Sequence, residues 1–195
     1  MNTFKEYIAS QLNSKSPQMD DLIENCNTRQ ILKDEFLLRQ GEQSRYIFFV
    51  EQGLLKQYSV DEKGKEHILM FAPEKWFVAD RESLYFKRPS LYFIKALEDS
   101  RVVLLEESFI NKIAEVDHSF LELNNRLLNN HILHLQNRIN SLLSDSAEER
   151  YLSFVQTYPD ILLRVPQAMV ASYLGITPES LSRVRKDLAE RNFHK

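Results

Sequence analysis

Between His118 and Leu143 the apolar positions recur with a spacing of four, three, four, three. Leu121, Leu128, Leu135 and Leu142 follow one another at seven-residue intervals, and Asn125, Ile132 and Ile139 fall between them at the same interval. That period predicts one long helix with Leu at d, Ile at a, and Asn125 as the single polar a position. Ile at a with Leu at d favours two parallel strands, and a buried Asn fixes register at some expense of stability. Two readings follow: a dimer seam made of these seven residues, with Asn125 facing its symmetry mate, or an amphipathic helix packed on its own domain.

The pattern before this helix changes twice. Phe4, Ile8 and Leu12, and then Met19, Leu22 and Ile23, have helix spacing, with Pro17 placed to open the second run. From Ile31 to about Leu105 the apolar residues are β-branched or aromatic and come in short runs: Phe36–Leu38, Tyr46–Val50, Leu54–Val60, His67–Phe71, Trp76–Val78, Leu91–Leu97 and Val102–Leu105. Polar turns separate them, the pattern of an all-β sandwich or barrel. Asp61-Glu62-Lys63-Gly64-Lys65 joins two runs as a hairpin, with Gly64 where positive φ is needed. Helical spacing returns at Phe109, Ile110, Ile113 and Ala114, ending near Asp117. After the long helix, Ser146 and Glu149 form a capping box opening another helix through Tyr151, Leu152 and Val155.

From Val165 to Arg191 the pattern is two helices around a tight turn. Val170, Tyr173 and Leu174 give the first an apolar face, and Gly175 ends it in the position that favours glycine. Thr177 is an N-cap and Pro178 a first helical residue for the second. Leu181, Val184 and Leu188 face inward, leaving Glu179, Ser180, Arg183, Lys186 and Asp187 outside and Arg185 on the flank. This is a helix-turn-helix pattern, with the second helix placed to read DNA. Arginine donates bidentately to guanine, Glu accepts from cytosine N4, and Ser or Thr reach bases or phosphates. The plainer alternative is an αα-hairpin with a solvated charged face, to which Asp187 on that face is suited.

Composition narrows the choice. A chain of 195 residues with 43% hydrophobic content can bury a core. The net charge of −3 gives no overall nucleic-acid signal, but from Arg164 onward six Lys/Arg face three acids. That tail is about +3 and the remainder about −6, an asymmetry that points to an anionic partner for the tail. Cys26 is the only cysteine, which excludes an internal disulfide and a Cys-ligated iron–sulfur cluster. No apolar run reaches membrane-spanning length and no signal core opens the chain, so a cytoplasmic setting is expected. The β segment holds one histidine, His67, which argues against a metal-dependent barrel enzyme. His131 and His134 lie on neighbouring turns; a metal pair or a plain interfacial pair are the alternatives.

The order β-roll, long helix, helix-turn-helix resembles the Crp/Fnr family of bacterial transcription regulators. Arg39-Gln40-Gly41-Glu42 is similar to the family's turn motif, and Tyr46-Ile47-Phe48-Phe49-Val50-Glu51-Gln52-Gly53 to its following strand and glycine. Tyr173-Leu174-Gly175-Ile176-Thr177-Pro178-Glu179-Ser180-Leu181-Ser182-Arg183 is similar to its helix-turn-helix signature. The resemblance implies an α+β chain with three parts: an antiparallel, jelly-roll-like β-roll effector domain (1–117), a dimerisation helix (118–144) and an all-α helix-turn-helix domain (145–195). It implies a homodimeric, non-enzymatic regulator that binds double-stranded DNA, meets RNA polymerase, and answers an unidentified small-molecule effector. The alternative is a dimeric sensor or scaffold of this fold that has lost DNA binding.

On that resemblance, base readout falls to Glu179, Ser180, Ser182 and Arg183, and phosphate contact to Thr177, Arg185 and Lys186. Family members place Arg, Glu and Arg along the first turns of the reading helix; here the aligned residues are Pro178, Glu179 and Arg183, so one base contact is lost. Lys195 follows Arg191 by four residues, too few for the family's β wing, which is expected to be absent. The family's layout puts an effector pocket at Met70, Phe77, Asp80 and Tyr92, residues whose plainer role is core. Cyclic-nucleotide binders carry a Gly-Glu pair and an Arg followed by Ser or Thr. Here Ala79-Asp80 stands at the first, and Ser90-Leu91 at the second. Without that Arg a buried phosphate has no charge partner, so cAMP is not the expected ligand, and no resident cofactor is expected.

Overall fold

The computed structural model describes residues 3–12 and 17–193. The chain forms two compact units. The first comprises the described residues up to Lys65 together with Leu69–Asn129; the second comprises Glu66–Ile68 and the described residues from Asn130 onward.

In the first unit, α1 (Thr3–Gln11) and α2 (Pro17–Glu24) precede eight strands. These are β1 (Asn27–Ile31), β2 (Phe36–Leu38), β3 (Ile47–Gln52), β4 (Leu55–Val60), β5 (Glu66–Ala72), β6 (Phe77–Val78), β7 (Phe93–Ala96) and β8 (Ser100–Leu105). They form two four-stranded sheets, ordered β1-β8-β3-β6 and β2-β7-β4-β5, with antiparallel pairing across β1–β8, β3–β8, β3–β6, β2–β7 and β4–β7. This is the antiparallel, jelly-roll-like arrangement that the family resemblance implied.

Strand β3 explains how the unit is layered. Ile47, Phe48, Phe49 and Val50 are all buried, because both faces of the first sheet are covered. Phe48 and Val50, with Val102 on β8, pack inward among Ile31, Leu55, Met70 and Ile94. Ile47 and Phe49, with Val103 and Leu105, pack outward against Phe4, Ile8, Met19 and Ile23 of the first two helices. Phe49 is the centre of that outer layer, with ring centroids 4.9 Å from Phe4, 5.2 Å from Tyr7 and 4.9 Å from Phe77. Burying such a side chain fully stabilises by about 1.5–3 kcal/mol.

Three elements had no signal in the apolar pattern. Strand β1 is polar and exposed except at Ile31, and is held by its backbone register against β8. Helix α3 (Arg81–Phe86) starts at a side-chain cap, Asp80, and ends at Lys87 with φ +56°. Helix α7 (Ile161–Arg164) is one short turn. The other helices match the expected positions: α4 (Glu107–Val116), α5 (Ser119–Ser144), α6 (Ala147–Thr157), α8 (Gln167–Leu174) and α9 (Pro178–Phe193). Both halves of the Ser146–Glu149 capping box are formed. Helix α5 gives its first half to the first unit and its second half to the second. No described helix is long and apolar enough to cross a membrane.

Candidate nucleic-acid interface

Helices α8 and α9 are joined by Gly175, Ile176 and Thr177. Gly175 adopts φ +67°, which a residue with a Cβ tolerates poorly. Its missing side chain also matters for space, since a Cβ there would lie 3.1 Å from Leu142 Cδ2. The Ile176 N–H donates to Ala171 O at 3.0 Å, closing the end of α8. Thr177 caps α9, its Oγ1 accepting from the Ser180 N–H at 3.2 Å, and Pro178 is the first helical residue. The local chemistry that marked the turn in the sequence therefore builds it.

Packing fixes which face of α9 points outward. Leu181 is fully buried, with Val184 and Leu188 half-buried. Val170, Ala171, Tyr173 and Leu174 form the buried side of α8. Tyr173 completes a ring cluster with Phe154 and Tyr158, at 5.2 Å and 5.6 Å between centroids. Opposite this face, Glu179, Ser182, Arg183, Arg185, Lys186 and Asp187 are exposed.

The charged groups of that face differ in how they are held. Arg183 and Arg185 make no hydrogen bond or ion pair among the described residues, so their guanidinium groups are open to an external acceptor. Lys186 lies 3.8 Å from Glu190 in a loose, exposed pair. Glu179 accepts from its own backbone N–H and from the Thr177 hydroxyl, which together lower its pKa and keep it ionised. The Thr177 hydroxyl, which caps the helix, lies 3.2 Å from the Ser180 hydroxyl. Arg191, which the sequence did not single out, is bound through both terminal nitrogens to Glu148, tying α9 to α6. Only the fold brings those two residues together.

On α5 the seam positions lie uncovered in the single chain. Leu121, Ile132, Leu135, Ile139 and Leu142 are between 40% and 59% exposed, Leu128 is half-buried and Asn125 is exposed. Leu133 and Leu143, off that stripe, are exposed as well. By contrast, Phe120 and Leu123 are buried in the first unit, so the start of this helix has a core face and an open face.

The four residues of the expected effector pocket do not share one surface. Met70 is in the inner layer between the sheets. Phe77 packs in the outer layer, its ring 5.7 Å from Tyr7, because Val78 beside it takes the inward position. Asp80 is buried, with Oδ1 accepting from the Ser83 N–H at 3.1 Å and Oδ2 from the Ser90 hydroxyl at 2.6 Å. Tyr92 is half-buried and donates its N–H to Ser90 Oγ at 3.0 Å. Asp80, Ser90 and Tyr92 thus form a group from which Met70 and Phe77 are separate. Ser83 and Ser44 extend that group, and no spacing in the sequence announced them. Cys26 is half-buried, and desolvation pushes its thiol up to about 11, so it holds its proton at neutral pH. Among the described residues, no group of three or more His, Cys, Asp or Glu side chains is placed to hold a metal ion.

Residues 28–117 match the cyclic nucleotide-binding domain family. The chain is 26% identical over 182 residues to the regulatory protein HlyX of Actinobacillus pleuropneumoniae, covering 86% of this chain and 72% of that protein. It is 26% identical over 182 residues to the fumarate and nitrate reduction regulatory protein of Vibrio cholerae, covering 88% and 71%. Its fold is similar to that of FixK2 from Bradyrhizobium japonicum, with a TM-score of 0.72, 20% identity, and 86% of each chain covered.

Proposed function

We propose that the chain is a transcription regulator of the Crp/Fnr type that binds double-stranded DNA as a homodimer, with α9 as the reading helix. One observation carries this reading. Glu179, Ser182, Arg183 and Arg185 project from the open face of a helix whose start is fixed by Gly175, Thr177 and Pro178. Arg183 and Glu179 are assigned to base edges, with Ser180 and Ser182 beside them. Arg185, Lys186 and Thr177 are assigned to phosphates. The uncovered stripe of α5 supports the homodimer, because two reading helices must be set about one DNA turn, roughly 34 Å, apart. The stranded unit receives the effector, and a ligand acts by favouring one of two arrangements of the dimer. Such a role involves no catalysis, sits in the cytoplasm and brings the protein to RNA polymerase.

Binding of fluorescent genomic duplexes, selected by pull-down, tests the assignment. The wild-type chain is expected to bind with a strongly negative dependence on salt. Arg183→Ala is expected to weaken the selected site by about 1–3 kcal/mol and to relax preference at one base pair. Lys186→Ala is expected to weaken all sequences alike and flatten the salt slope. Operator affinity unchanged by Arg183→Ala would remove α9 as the reader.

A further inference from the structure

The second unit contains a cavity of about 140 Å³ between the carboxy-terminal half of α5, helix α6 and helix α8. Its wall includes Arg138, Arg150, His134, Ser141, Ser153 and Tyr173, and no Asp or Glu lines it. The two arginines are in different situations. Arg138 is already committed: its guanidinium donates to Tyr173 O at 2.6 Å and lies over the Tyr173 ring at 3.6 Å. Arg150 has no such partner. Its Nε is sealed from solvent, and among the described residues nothing accepts from it. Its Nη1 reaches the helix-turn-helix, 3.8 Å from where a Cβ on Gly175 would stand.

A buried donor without an acceptor calls for an explanation, and an unseen ion is one of the few available. An unpaired guanidinium beside a second arginine makes the cavity electropositive. The same field acts on His134, whose pKa is lowered by burial and by Arg138. Arginine's planar fork suits tetrahedral oxyanions, and the serine hydroxyls add neutral donors at the wall. The size is also selective. Apolar cavities of about 150 Å³ hold a molecule as large as benzene, so this one admits a phosphate group but not a whole nucleotide.

We propose that this cavity is a phosphate-binding site, with Arg150 as its principal ligand and Arg138 as its second cation. The occupant is inorganic phosphate or the phosphoryl group of a small ester, and it joins α5, α6 and α8 at the root of the reading motif. The assignment does not rest on DNA binding, because the ligand is measured without DNA.

Titration calorimetry of the full chain at constant ionic strength tests it, with inorganic phosphate and phenyl phosphate as separate probes. One site per chain is expected, with a ligand-dependent rise in the unfolding temperature. Arg150→Gln is expected to weaken binding at least about tenfold, the loss of one charge-assisted contact. Without ligand, the same variant is expected to melt no lower than wild type, since among the described residues nothing accepts from the buried Nε it removes. Arg150→Lys, which keeps the charge and loses the fork, is expected to fall between the two. Binding of phenyl phosphate alone would support the site and assign it to an ester; binding of inorganic phosphate alone would support it and assign it to the free ion. No binding of either probe at millimolar concentration would overturn the proposal. So would affinities unchanged in both Arg150 variants, or an Arg150→Gln chain whose only defect is a lower melting temperature.

Discussion

At the scale of single residues, Asp80 is already committed to partners within the chain. Its two carboxylate oxygens cap α3 and accept the Ser90 hydroxyl, inside a group where Ser44, Asp80, Ser83 and Ser90 are each 3% exposed or less. A ribose hydroxyl seeking this carboxylate must displace Ser90, and Ser90 itself stands where the family's cyclic-nucleotide binders have their phosphate-pairing Arg. The cyclic phosphate is then left without a charge partner, and burying an unpaired anion is costly. Calorimetry with cAMP up to millimolar concentration is expected to show no binding heat; a micromolar dissociation constant would overturn this account of the group.

At the scale of elements, the β3–β4 connection shows how a turn is enforced by its neighbour. Gly53 has φ +94°, and a Cβ on it would stand 2.7 Å from the Ser100 backbone Cα. Its N–H donates to Glu74 Oε1 at 2.9 Å. Gly53→Ala therefore meets both an unfavourable φ and a clash with the start of β8, and is expected to destabilise by about 2–4 kcal/mol. Urea unfolding measures this, and a change below about 0.5 kcal/mol would mean that the turn relaxes freely. The same scale shows which elements had a signal in the sequence. Helices α5, α6, α8 and α9 carry apolar periodicity, and α6 and α9 start at side-chain caps while α8 ends at Gly175, so local chemistry suffices to place them. Strand β1 has one buried residue among five and exists because β8 offers it a backbone edge. Helix α3 exists because Asp80 caps it.

At the scale of the whole molecule, the homodimer we propose would be held by the heptad stripe of α5. In that dimer the exposed Leu121, Ile132, Leu135, Ile139 and Leu142 would supply the association, and the polar Asn125 between them the register. Asn125→Leu is expected to tighten self-association in sedimentation equilibrium while broadening the range of oligomeric states. A variant that stays a single species with unchanged dissociation would strip Asn125 of its register role. The sequence by itself determined the order of the main strands and helices, the turn of the helix-turn-helix and the α5 stripe, because each depends on side chains within a few residues of one another. Only the tertiary structure decided that Phe77 and Met70 lie on opposite sides of the first sheet, that Arg191 is held by Glu148, and that Arg150 lines a cavity where, among the described residues, nothing accepts from its Nε. Those facts depend on which distant residues meet, and no period or spacing encodes that meeting.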